Sequence, residues 1–241
     1  METEQIASAE AAILARIADI RARIAAACAE AGRSVSEVTL MAVTKTVPPE
    51  QVNVVVRAGI TLLGENRVQE FLSKRDDYEK CAEVQFIGHL QTNKVKQIVG
   101  KVTLIHSVDS LHLLEAVEKA ASQQGIRQDI LLEVNIGGEA SKSGCTPDAL
   151  PALLQAAKQC AHIRVRGLMT IPPPFENASD ADACFAKMQQ LYAEMQQQSD
   201  EIQILSMGMS GDFEAAIRHG ATLIRLGSAL FGARVYPPKT T

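Results

Sequence analysis

The sequence contains no tryptophan, and aromatic residues make up only 4% of its 241 positions. A protein that grips single-stranded nucleic acid by stacking needs a row of aromatic faces, so that class is excluded. Basic residues are not in surplus either: 24 Lys and Arg face 28 Asp and Glu, for a net charge of -4. No electrostatic footprint for a nucleic acid follows. No apolar run approaches the roughly 20 residues that cross a bilayer. The opening METEQIASAE lacks the basic and apolar regions of a secretory signal.

Cysteine is sparse as well. Cys28, Cys81, Cys145, Cys160 and Cys184 form no C-x-x-C pair and are odd in number. That pattern gives no disulfide framework, and the chain is expected in the cytoplasm with reduced thiols. The five histidines, His89, His106, His112, His162 and His219, show no paired ligand spacing, so no metal site is expected. A phosphate-binding G-x-x-x-x-G-K-[ST] loop is missing too.

Hydrophobic residues, by contrast, reach 46%, enough for a full core. Between Glu4 and Gly32, Ile6, Ala9, Ile13, Ile17, Ile20 and Ile24 recur at helical spacing, which predicts an amphipathic helix packed on its own domain. After it, β-rich runs and helical stretches alternate. VTLMAVT, ITLLG, VQFIG, VTLIHSV, DILLEVNI, IRVRGLMT, IQILSMG and TLIRLG are each followed by a helical segment. About eight strand–helix units in one chain of this length predict an α/β fold of the TIM (β/α)8 barrel type with parallel strands. The runs read as apolar on both faces, as strands inside a ring of helices should. An open doubly wound sheet is the alternative, but its Gly-rich turn after the first strand is replaced here by Lys45 and two prolines. Without a linker or composition break, residues 1–241 are taken as one domain, with a helix over 1–33 and a tail over 235–241.

A barrel carries its chemistry on the loops after its strands. Those loops hold Lys45; GENR with Glu65, Asn66 and Arg67; GHLQTNK with His89, Gln91, Asn93 and Lys94; and a loop with Asn135 and Lys142. The last two, SMGMSGDF and RLGSALFG, place Gly208, Ser210, Gly211, Gly227 and Ser228 before helices. Glycine admits close backbone approach, and free N–H groups beside a hydroxyl hold an anion, which makes these loops a phosphate cup. Lys45 ends an apolar strand and points to the barrel mouth, where partial desolvation would favour a neutral, nucleophilic amine. An amine beside a phosphate cup suggests a Schiff base with a phosphorylated aldehyde, of which pyridoxal 5'-phosphate is the obvious candidate. Arg225 would face inward and reach the pyridine nitrogen. The remaining reading is an aldolase-type lysine acting on a phosphorylated sugar or acid.

AVTKT, LLGENRVQE, FIGHLQTNK, HSVDS, EASKSG, RGLMTIPP, LSMGMSGDFEAAI and IRLGSALFG together resemble the motif set of the pyridoxal-phosphate homeostasis proteins, over about Val38 to Arg234. The resemblance implies a barrel like the N-terminal domain of alanine racemase and a vitamin B6 cofactor held as a Schiff base on Lys45. It implies phosphate contacts at Ser210, Gly227 and Ser228, with Met209 lining the loop, Arg225 at the pyridine nitrogen and Asn66 near the cofactor. It matches Lys142 to a lysine linked to cofactor handling, and a second cofactor site near it stays open. The implied role is buffering or delivery of the cofactor, with PLP-dependent apo-enzymes as partners and no catalytic residue; a self-contained barrel suggests a monomer or weak dimer. The alternative is a low-activity racemase or lyase. Against it, a racemase needs an acid on the opposite cofactor face. Tyr78, Tyr192 and Tyr236 fall in helices or the tail, where packing or surface roles are expected.

Overall fold

In a computed structural model of the chain, residues 2–139, 143–173 and 178–232 are described. Eight parallel strands close into a barrel in sequence order, with the first paired to the last. They are β1 Thr39–Val43, β2 Leu62–Glu65, β3 Glu83–Phe86, β4 Leu104–Val108, β5 Gln128–Glu133, β6 Ile163–Met169, β7 Ile204–Ser206 and β8 Leu223–Leu226. A long helix, α1, runs over Glu2–Glu30 before the barrel begins. The helices between strands are α2 Pro49–Arg57, α3 Val68–Lys74, α4 Val95–Ile98, α5 Leu111–Gln124, α6 Leu150–Lys158, α7 Ala178–Gln196 and α8 Phe213–Arg218; α9 Ser228–Phe231 follows β8.

Local signals set these boundaries. Pro49 begins α2, where its missing N–H has no helical partner to lose. The Ser110 hydroxyl accepts the Leu113 amide to start α5, and Gly125, at φ 64°, ends it in the left-handed region.

Successive strand residues alternate between two environments. Ala42, Leu63, Phe86, Ile105, Ile130, Leu205 and Ile224 face outward into the layer between barrel and helices. Met41, Val43, Ile87 and Leu223 form one interior layer, and Leu104, Leu131 and Met169 another. Gly64 makes room for the first: a Cβ there would strike the Met41 sulfur at 2.5 Å. The strands are not apolar on both faces, as the sequence suggested. The inward row also carries Gln85, His106, Glu133, Ser206 and Arg225, all buried. Their runs are short, so apolar neighbours masked an interior polar stripe.

The helix α1 packs against α2, α8 and α9. Ile13, Ile17, Ile20 and Ile24 are buried at its contact face. Ala9, expected on that face, is exposed, and the side chain of Ile6 lies outside the described residues.

Candidate functional site

The alternation that turns Met41 and Val43 into the barrel continues to Lys45, which lines a cavity of about 280 Å³ at the C-terminal mouth. Asn66, Met209, Ser210, Arg225, Gly227 and Ser228 line the same cavity. The seven residues that the resemblance sets around the cofactor therefore meet at one place. Val43, Ile87 and Ile171 give it an apolar wall. Lys142 lies outside the described residues, as do Tyr236 and the 235–241 tail.

The two glycine-rich loops are tied together at one end of the cavity. The Ser210 hydroxyl oxygen accepts the amides of Gly227 at 3.4 Å and Ala229 at 3.2 Å. The Asp212 carboxylate accepts the Met209 amide, and the Asp212 amide returns a bond to the Met209 carbonyl, closing a tight loop around Ser210 and Gly211. Burial pushes the Asp212 carboxyl up from its ordinary range, partly offset by that amide and by Arg225. The amides of Ser210, Gly211 and Ser228 have no protein acceptor among the described residues. Three N–H groups and two hydroxyls converging on one space can hold an oxyanion.

At the inner end stands Arg225. It donates to the Ser206 hydroxyl at 2.6 Å and to the Thr170 carbonyl at 2.8 Å. Behind Ser206, His106 makes hydrogen bonds to Ser206 at 3.2 Å and to the Gln85 side-chain oxygen at 2.7 Å. Burial, reinforced by the Arg225 charge, pushes the His106 pKa well below its ordinary value. A neutral ring donating from Nε2 to Gln85 leaves Nδ1 to accept the Ser206 proton, and that leaves the Ser206 oxygen open to Arg225. Burial lowers the Arg225 pKa to about 10, with Glu133 and Asp212 resisting the shift, so the guanidinium keeps its charge at neutral pH. His106 is fully buried and supports the site from behind Ser206.

Asn66 sits beside Lys45 on the next strand's loop. Its side-chain oxygen is buried and has no hydrogen-bond partner among the described residues, an acceptor available to a ligand. Gly88 lets the third loop lie against it, since a Cβ there would collide with the Asn66 carbonyl. A neighbouring cavity of about 400 Å³ shares Asn66 and is lined by Arg67, His89, Gln91 and Lys94. Glu65 points the other way, to the outside of the barrel. It accepts hydrogen bonds from Thr44 and Tyr78 and lies 3.5 Å from Lys74. Tyr78 is therefore packed outside the mouth. Tyr192 lines a separate cavity of about 690 Å³ at the opposite, N-terminal end of the strands. Sequence reasoning passed over Gln85, Ser206 and Thr170; a step of two along β7 from Ile204 turns Ser206 to the same, inward face.

Among the described residues, no group of three or more His, Cys, Asp or Glu could hold a metal ion, and no helix is long and apolar enough to cross a membrane.

The sequence family described as alanine racemase, N-terminal domain, matches residues 16–235. A pyridoxal phosphate homeostasis protein of Aquifex aeolicus is 45% identical over 92% of this chain and 98% of its own length. That of Pseudomonas aeruginosa is 42% identical over 93% and 96%. Among solved structures, PipY of Synechococcus elongatus, with PLP bound, superposes with a TM-score of 0.79 at 33% identity, over 91% of this chain and all (100%) of that one. Alanine racemase from Streptomyces coelicolor shares the fold, with a TM-score of 0.71 at 22% identity over 92% of this chain and 59% of that one.

Proposed function

For this chain, which belongs to the alanine racemase N-terminal-domain family and within it to the pyridoxal phosphate homeostasis proteins, we propose binding of pyridoxal 5'-phosphate at the barrel mouth. The role is to buffer or deliver the cofactor, without turnover of its own. The observation that carries this is the meeting of an amine, an amide-lined cup and a buried guanidinium around one small cavity. Lys45 would hold the cofactor through its amine, and the cofactor would supply the aldehyde that such an amine takes up.

The donor chemistry fits such a ligand. The amides of Ser210, Gly211 and Ser228 and the two serine hydroxyls would take the phosphate. Arg225, which can only donate, would leave a pyridine nitrogen unprotonated and so weaken the ring as an electron sink. The orphaned Asn66 oxygen would accept an O–H or N–H from the ligand. Val43, Ile87 and Ile171 would exclude water from the ring faces.

A carrier rather than an enzyme is favoured by what lines the cavity. Its ionisable members are Lys45 and Arg225, and neither Tyr78 nor Tyr192 reaches it. With no opposing acid among the described lining residues, proton return to the far side of a bound amino acid has no donor among them. We read residues 1–241 as one cofactor-binding barrel unit that works in the cytoplasm as a monomer, with PLP-dependent apo-enzymes as recipients. Cys28, Cys81, Cys145 and Cys160 are free thiols, in keeping with a reducing compartment.

The test is the visible spectrum of the purified protein, then borohydride reduction and peptide mapping. A yellow protein labelled at Lys45, and colourless as Lys45→Ala, is expected. A protein that takes up no added cofactor would sink the reading and turn attention to a phosphorylated sugar or acid.

A further inference from the structure

The turn that carries Lys45 is held by side chains that the cofactor contacts do not use. Thr46 has a φ of 63°, in the left-handed region where a β-branched residue is an outlier. Such a conformation persists only where its surroundings impose it. Here they are specific. Lys74, the last residue of α3, donates to the carbonyls of Thr44 at 2.9 Å and Val47 at 3.1 Å. Those carbonyls bracket Lys45 and Thr46. The same ammonium pairs with Glu70 at 2.8 Å and Glu65 at 3.5 Å. Glu70 also accepts the Thr46 amide, and Glu65 accepts the Thr44 hydroxyl and Tyr78. Burial pushes the Glu70 carboxyl up, but Lys74 and the Thr46 amide outweigh it and hold the carboxyl below its ordinary range. Glu65 is fully buried and Lys74 only 12% exposed, so these bonds form away from bulk water.

We propose that Lys74 is a positioning residue: by gripping the turn on both sides of Lys45 it fixes the direction in which the Lys45 amine enters the mouth cavity. The proposal deepens the cofactor reading and rests on it. A lysine that merely satisfied two carbonyls would support the fold equally whatever occupied the site. A lysine that aims Lys45 matters only to ligands that bond to that amine. Removing it frees the turn to relax toward an unstrained φ and takes the amine off its line, while the Ser210 and Ser228 loops, on other strands, stay in place.

The experiment compares two probes on the full chain, pyridoxal 5'-phosphate and pyridoxine 5'-phosphate, which keeps ring and phosphate but has no aldehyde. Lys74→Met is expected to weaken the first by roughly tenfold or more and to leave the second within about twofold, since misplacing a reacting group by a fraction of its reach has effects of this order. Equal loss of both, or of neither, overturns the proposal. Should that variant not fold, Glu70→Gln removes one charge partner at nearly constant shape. The same selective loss supports the proposal, and an unchanged ratio of the two dissociation constants overturns it. Borohydride labelling of the unmodified protein separates the two failures. A label away from Lys45 removes the cofactor reading and the proposal with it. A label on Lys45 with an unchanged ratio in the variants removes only the role of Lys74.

Discussion

At the residue scale, the buried polar groups of the barrel interior are the sensitive points. Ser206 joins Arg225 to His106 through one hydroxyl. Ser206→Ala leaves a guanidinium N–H and a ring nitrogen unpartnered, and should lower unfolding free energy by about 1–3 kcal/mol in urea titrations. Glu133 behaves differently. Burial, helped by Asp109 and opposed by Arg225, raises its pKa from 4.5 to about 7. The fold therefore holds a proton that the unfolded chain has lost between those values, and stability falls as pH rises through that window. Glu133→Gln removes this penalty. It should raise the melting temperature at pH 8 by an amount equivalent to about 1–3 kcal/mol and have little effect below pH 4, a profile that calorimetry at the two pH values would check.

At the element scale, α1 is part of the barrel's outer layer. Ile20 is 1% exposed while Leu14, on the same helix, is 44% exposed. Ile20→Ala should cost about 2–5 kcal/mol through lost burial and the cavity left behind. Leu14→Ala should change stability by no more than about 0.5 kcal/mol. Equal effects would mean that the helix packs in another rotation. The α1–α8 contact is reinforced by Arg23, which pairs with Glu214 and lies 4.7 Å from the Phe213 ring centre. Because α8 follows the Ser210 loop directly, this contact adjoins a loop that lines the mouth cavity.

At the scale of the whole molecule, closure of β1 on β8 brings the first and last strands together, and with them Lys45 and the Gly227–Ser228 loop. The site exists only when the ring is closed. The chain spans 59% of the length of the Streptomyces alanine racemase whose fold it shares. A site with no opposing acid among its described lining residues should exchange the Cα proton of alanine in deuterated water no faster than free pyridoxal 5'-phosphate does. NMR of the alanine Cα–H signal would measure this, and a faster rate would make the protein an enzyme.

Much of this was legible in the chain itself. The periodicity of VTLMAVT and its seven counterparts determined the barrel, because strands and helices of this length leave few other ways to bury their apolar faces. The position of Lys45 at a strand end and of glycine and serine in the last two loops determined which residues meet, because a barrel gathers those ends at one mouth. Other features depended on contacts between residues far apart in sequence. The partners of Arg225 come from β6 and β7, those of His106 from β3 and β7, and the grip on Lys45 from the end of α3. Serine, glutamine and lysine carry no local signal of burial; only the closed barrel brought their polar atoms together away from water and made each one's choice of partner decisive.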